Sequence, residues 1–302
     1  MTRTRALAYA GVLFATVVWG TLHPVGKIAL GEVSALQLVM ARTVLTALAL
    51  SAFLLARGQA ANLWMVMRYR WRIVVLLGSL SFLLSSGLSM TGLSMMPASI
   101  NSLLANTSPL MLAVGLVALT GVAPRPRIVL GLGLGFAGVV ILTGDGADTL
   151  GTAGVIGALL SLAGSACWAA YTGIGRRELA RHDPLVLTTG CAIVGAVPLL
   201  GLGAITGQIA ALSSVPPTTL WLLAYAGVFG TALTYALWMT SLAVLSATSV
   251  AAFQYVIPLT AVTLAVLLLG EPLTVGLIVG GIAILGGVLL AQEGTTAAAE
   301  RD

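Results

Sequence analysis

The sequence predicts an all-α polytopic membrane protein, with ten transmembrane helices arranged as two inverted five-helix repeats around a central cavity. Three observations lead there. Of 302 residues only 8% are charged while 59% are hydrophobic, against about 25% charged in an average soluble domain. The apolar residues fall into ten stretches, each near the roughly 20 residues that cross a bilayer. The two halves of the chain also superimpose without a gap when shifted by 149 residues, so that Trp19 meets Trp168 and Pro109 meets Pro258. Fourteen basic and nine acidic side chains cannot clothe a soluble domain of this length, and a mean hydropathy of +1.07 agrees.

The ten spans are expected over 6–30, 34–56, 73–95, 98–120, 126–143, 152–175, 184–206, 218–243, 246–269 and 273–292. Met1 to Arg5 before an apolar run imitates a signal peptide, but the run is too long and no small-residue cleavage site follows, so an uncleaved first span is expected. A cytoplasmic N-terminus places Arg3, Arg5, Arg57, Arg68, Arg70, Arg72, Arg125, Arg127, Arg176, Arg177, Arg181 and Arg301 on the inner side, as the positive-inside rule requires. Lys27 and Arg42 are left within spans. Both termini are then cytoplasmic. Cys167 and Cys191 sit in mid-span as small apolar fillers.

The offset also pairs Lys27 with Arg176, Gly58 with Gly207, Gly78 with Gly227, and Met90, Thr91 and Leu93 with Met239, Thr240 and Leu242. It divides the chain into a first repeat, 1–149, a second, 150–295, and a cytoplasmic tail, 296–302. Five spans per half is an odd number, so the second half enters the membrane upside down. Inverted repeats are a transporter architecture, since two similar halves can exchange conformations and open one site to either side in turn.

Several motifs are distinctive: Trp19-Gly20 with Pro24 and Lys27, Arg42, the junction Met95-Met96-Pro97-Ala98-Ser99, Ser108-Pro109-Leu110, and Ile257-Pro258-Leu259 followed by Gly270-Glu271-Pro272. In these the chain resembles, over essentially its whole length, the EamA-like ten-span family of the drug/metabolite transporter (DMT) superfamily. Within it the chain is similar to YddG-type exporters of aromatic and other neutral amino acids. The resemblance implies export of small metabolites by alternating access. One departure is Gly121-Val122-Ala123 where the family tends to carry a Gly-Glu pair. It weakens any special role for Glu271, which reads as a helix-end charge.

Polar groups inside a bilayer are costly and need a reason to be there. Arg42 carries an insertion cost of roughly 2.5–3.5 kcal/mol, with no carboxylate in mid-span to pair with. It either ties helix ends together or attracts a substrate carboxylate. Trp19, His23 and Lys27 recur at i, i+4, i+8 and share one helix face. His23 is either a hydrogen-bonded core residue or a substrate contact, and Lys27 either snorkels to the outer interface or meets substrate. Pro24 disfavours helical geometry at His23.

Pro109 and Pro258 are expected in mid-helix, where proline frees the carbonyls of Ala105 and Gln254 and lets the helix bend. At symmetric positions they read as paired hinges. Asn101, Asn106, Trp168, Tyr171, Tyr235, Trp238, Gln254 and Tyr255 complete the predicted substrate-binding set. A pocket of Trp, Tyr and amides with one or two cations suits a small, partly apolar carboxylate.

Other classes fit poorly. Two His in the chain and no mid-membrane carboxylate disfavour an intramembrane enzyme or metal site, so no catalytic residue, metal or cofactor is expected. No ring of acids or filter-like backbone motif suggests a channel. The run Gly131, Gly133, Gly135 and Gly138 contains a formal GxGxxG but lacks a preceding strand and a ribose-binding acid, and reads as a close-packing helix face like Gly276 and Gly280. No basic face mixed with aromatics suggests nucleic acid. The expected partners are a small-molecule substrate and membrane lipid, with the protein monomeric. The alternative cargo is a phosphorylated solute, which would favour more cavity Lys and Arg than Lys27 and Arg42.

Overall fold

A computed structural model describes residues 3–120, 126–145, 147–179, 181–242, 244–245 and 253–299. Every regular element among them is helical. Six runs are long and apolar enough to cross a membrane: Arg3–Ala29, Ala35–Ala56, Trp71–Met95, Gly151–Gly175, Pro184–Ile205 and Pro217–Ser241. Pro126–Leu142, Phe253–Leu269 and Val275–Leu290 are shorter and equally apolar. Leu48, Val140, Val197, Ile205, Leu259 and Leu267 are exposed, as a helix surface facing lipid would be.

The first half begins with α1 (Arg3–Ala29), which runs through Pro24 unbroken. Next comes α2 (Ala35–Ala56), started by a capping box in which Ser34 and Gln37 satisfy each other's backbone N–H groups. A helix not foreseen in the sequence, α3 (Ala60–Tyr69), follows. α4 (Trp71–Gly78) continues through a π-helical stretch, Ser79–Ser85, into α5 (Ser86–Met95). The predicted fourth span is two helices, α6 (Ala98–Ala105) and α7 (Ser108–Thr120), and α8 (Pro126–Asp145) closes the half.

In the second half, α9 (Ala147–Leu179) contains one non-helical residue, Gly151, so the regular span starts after it. α10 (Pro184–Ile205) is capped by Asp183, and α11 (Gln208–Ala211) is a single turn. α12 (Pro217–Ala224) passes through a second π-helical stretch, Tyr225–Leu233, into α13 (Thr234–Leu242). A short 3₁₀ turn, Phe253–Tyr255, leads into α14 (Val256–Leu269), and α15 (Val275–Ala299) is last. The start predicted for the ninth span, 246–252, lies outside the described residues.

The 149-residue offset has structural counterparts. The two π-helical stretches overlap under it, and Gly58 and Gly207 both adopt left-handed φ of +68° and +71° just past a helix end. The halves are interleaved. α1 packs on α13 and α14, α2 on α10, α5 on α9, α6 on α9 and α14, and α8 on α15. Missing side chains permit the closest crossings. A Cβ on Gly138 would lie 2.7 Å from the Gly280 carbonyl, and one on Gly287 would lie 2.5 Å from that of Gly131. This is the small-residue packing expected between membrane helices.

Candidate functional site

Arg42 lies midway along α2, held there by backbone contacts. The Thr46 hydroxyl reaches both the Arg42 carbonyl at 2.8 Å and the Gly227 carbonyl at 2.9 Å. A Cβ on Gly227 would come within 3.0 Å of the Arg42 carbonyl, so α2 and the second π-helical stretch touch through main chain. The guanidinium makes one hydrogen bond among the described residues, from Nη2 to Ser86 Oγ at 3.3 Å. Arginine has five N–H donors, so most of its capacity remains for a ligand. Tyr235 and His23 are also close enough to interact with it electrostatically.

An aromatic wall stands beside this cation. Trp19 on α1 packs against Trp238 at 5.0 Å and Tyr235 at 5.8 Å between ring centres, and Phe82 lies 6.3 Å from Tyr235. Phe82 comes from the first π-helical stretch, and Tyr235 and Trp238 follow the second. Wide turns of this kind break the regular i→i−4 ladder and recur at functional sites. The hydroxyls of Ser86 and Thr231 reach back five residues, to Ser81 at 3.2 Å and Ala226 at 2.8 Å.

His23 joins a buried polar chain next to the wall. Its Nδ1 is 2.9 Å from Asn101 Oδ1, while Asn101 Nδ2 donates to the Ser89 carbonyl at 3.1 Å and to Ser161 Oγ at 2.8 Å. Arg42 is the charged group that acts on the imidazole. Lys27, two turns from Trp19, lies elsewhere. Its Nζ donates to the carbonyls of Leu93 at 2.9 Å, Ser94 at 3.5 Å and Met96 at 2.8 Å. Three donors on three carbonyls at the end of α5 make a helix C-cap.

Glu271 does the complementary work at the start of α6. Its carboxylate accepts from the Ala98 N–H at 2.6 Å, the Ser99 N–H at 3.0 Å and the Ser99 hydroxyl at 2.5 Å. The Met95 to Pro97 turn is thus bracketed by Lys27 on the carbonyls before it and Glu271 on the amides after it, each placed to suit the helix dipole it faces. Glu271 is expected from the sequence to be a helix-end charge, and the helix end it meets is that of α6, from the other half of the chain. The signal available was a lone acid in Gly-Glu-Pro on the same predicted face as an unpaired lysine.

Asn106, Gln254 and Tyr255 meet at the facing helix interruptions. With Pro109, Leu285 and Val288 they line a cavity of about 10 Å³, room for one water. The prolines differ from expectation. α6 ends at Ala105 and α7 starts at Ser108, so Pro109 stands in a first helical turn, and Pro258 likewise follows the start of α14 at Val256. A first turn tolerates proline because its N–H groups lack intrahelical partners anyway. The chain therefore breaks before Pro109, at Asn106 and Thr107, and does not bend within one continuous helix there; the residues before the 3₁₀ turn that leads to Pro258 lie outside the described ones. The Ala105 carbonyl, expected to be orphaned, accepts from Ser165 Oγ at 3.0 Å, and that of Leu104 from the same hydroxyl at 2.8 Å.

Trp168 and Tyr171 pack on each other, 5.1 Å between centres, against buried Phe82, Leu187 and Cys191. Phe82, in the same cluster, also lies against Tyr235, the ring that packs on Trp19. At another point of the molecule, Arg70 forms a two-pronged ion pair with buried Glu178, flanked by Arg181 and His182. The described residues contain no group of three His, Cys, Asp or Glu placed to hold a metal.

This constellation, on interleaved apolar helices with a doubled sequence pattern, defines a multi-pass membrane protein with a polar and aromatic interior. The chain belongs to the EamA-like transporter family, whose model matches it twice, at residues 6–144 and 155–292. It is similar to the uncharacterized transporter YvbV of Bacillus subtilis, 29% identical across 96% of this chain and 91% of that one. An uncharacterized transporter of Archaeoglobus fulgidus is 31% identical over 63% of this chain and 65% of its own length. One solved crystal structure aligns with 97% of this chain and 96% of its own at a TM-score of 0.65 and 20% identity, a likeness of fold. The protein is thus a membrane transporter of small molecules.

Proposed function

We propose that the protein exports neutral and aromatic amino acids across a bacterial inner membrane by alternating access. The observation that carries this reading is Arg42, a guanidinium engaged by a single serine hydroxyl beside the wall of Trp19, Tyr235, Trp238 and Phe82. A carboxylate takes two parallel N–H bonds from arginine, and the rings accept an apolar side chain. Ten crossings follow if the broken segment α6–α7 counts as one span, with repeats 1–149 and 150–295 inverted and both termini cytoplasmic. Pro109 and Pro258 serve as paired hinges, a role supported at Pro109 by the break in the helix at Asn106 and Thr107. The protein acts as a monomer without cofactor or nucleic acid.

Purified protein in liposomes preloaded with unlabelled phenylalanine should take up labelled phenylalanine by counterflow. Preloading with a sugar phosphate should give no uptake. Counterflow supported by sugar phosphates and not by amino acids would replace this reading with the phosphorylated-solute one.

A further inference from the structure

The hydrogen bonds around His23 determine which of its ring nitrogens carries a proton. A main-chain carbonyl only accepts, so the 3.1 Å contact between Asn101 Nδ2 and the Ser89 carbonyl fixes the amide group of Asn101 on that side. Its Oδ1 then faces His23 Nδ1 at 2.9 Å. Oδ1 also only accepts, so Nδ1 must carry the hydrogen. A neutral imidazole has one N–H, and Nε2 is left with a lone pair.

The support is rigid. Asn101 and Ser161 are fully buried, and His23 is 8% exposed, so water does not compete for these bonds. Nε2 has no hydrogen-bond partner among the described residues. The one buried side-chain polar atom without a partner among them is Gln59 Oε1, so Nε2 is not fully enclosed by protein and keeps some accessible surface. The acceptor has no twin. Thr172 takes the place of His23 in the second half, and its hydroxyl donates to its own helix at the Trp168 carbonyl, 2.9 Å away.

We propose that His23 Nε2 accepts a hydrogen bond from the ammonium group of the transported solute, so that the site selects α-amino acids over carboxylic acids of the same skeleton. The assignment rests on the amino-acid function proposed above. With a carboxylate on Arg42 and an aromatic side chain on Trp19, the ammonium needs an acceptor, and the described part of the site offers no carboxylate. A tautomer held by Asn101 supplies one, and a site built around a hydrogen bond rejects the analogue that cannot make it.

The test is competition in counterflow between phenylalanine and 3-phenylpropionate, which lacks only the amine. Wild-type protein should favour phenylalanine about 10- to 100-fold, the range for one hydrogen bond to a charged group. His23→Leu should lose that preference. His23→Gln should keep most of it, because its amide can donate to Asn101 and turn its carbonyl to the solute. In His182→Gln protein, where His23 is the sole histidine, ¹⁵N spectra should show a protonated Nδ1 and a bare Nε2, a readout independent of mutant folding. Phenylalanine exchange with no preference, a preference surviving in His23→Leu, or a proton on Nε2 in the neutral ring would overturn the role of His23 alone. No phenylalanine exchange by the wild type would overturn the amino-acid function and this assignment with it.

Discussion

Arg42 and Cys191 occupy equivalent points of the two halves, and they have opposite characters. Each presents its backbone carbonyl to a glycine of the other half. A Cβ on Gly227 would lie 3.0 Å from the Arg42 carbonyl, and one on Gly78 would lie 2.6 Å from that of Cys191. The helix contacts are alike while the side chains diverge. Cys191 is fully buried in a cluster with Leu50, Leu77 and Leu187, whereas Arg42 donates to Ser86, which is itself the repeat partner of Tyr235. The scaffold is thus nearly twofold and the chemistry one-sided. Under the proposed function, such a frame would permit exchange between two access states, and Arg42 would give the solute one orientation in both.

Making the halves alike at this point should have the largest effect. Arg42→Cys should lower phenylalanine counterflow at least about 30-fold, as loss of a buried hydrogen-bonded charge partner does. Cys191→Ala, assayed in parallel, should leave it within about twofold, since it trims a small side chain that touches no ligand group. The tryptophan twins sharpen the same contrast. Trp19→Ala should lower phenylalanine exchange about tenfold through lost ring contact, with a smaller loss for alanine as solute. Trp168→Ala, at a ring packed on Tyr171, should chiefly lower the melting temperature.

The scaffold itself should respond symmetrically. Gly78→Val and Gly227→Val should each cost about 1–3 kcal/mol of stability by overpacking, measured by thermal unfolding in detergent, with similar losses for the two. A much larger loss at one site would show that the helix contacts are not equivalent. The smallest effect belongs to Glu271→Gln, which weakens the bonds to the α6 N-terminus and should cost about 1 kcal/mol without changing solute preference.

The apolar helices were legible because hydropathy and span length depend on local composition alone, and the doubling because Trp and Pro coincide in one register. The grouping of Trp19 with Tyr235 and Trp238 was legible only as separate helix faces, since their meeting depends on how α1 crosses α13. Pro109 is expected to bend a continuous helix and instead follows a break at Asn106 and Thr107. Nothing in a Leu- and Ala-rich stretch distinguishes a helix that bends from one that stops. Lys27 and Glu271 bracket one turn from opposite ends of the chain, a relation with no local signature. The π-helical stretches Ser79–Ser85 and Tyr225–Leu233 leave no mark in the pattern, because hydropathy does not register an extra residue in a turn.

The central claim is that Arg42 holds the carboxylate of the transported solute. It is tested most directly by competing phenylalanine against phenylalaninamide, which keeps the ring and the amine and replaces the carboxylate, in counterflow by wild-type and Arg42→Cys protein. The account predicts that phenylalanine competes and the amide does not in the wild type, and that exchange collapses in the variant. Equal competition by the amide, or wild-type exchange of phenylalanine by Arg42→Cys, would contradict it.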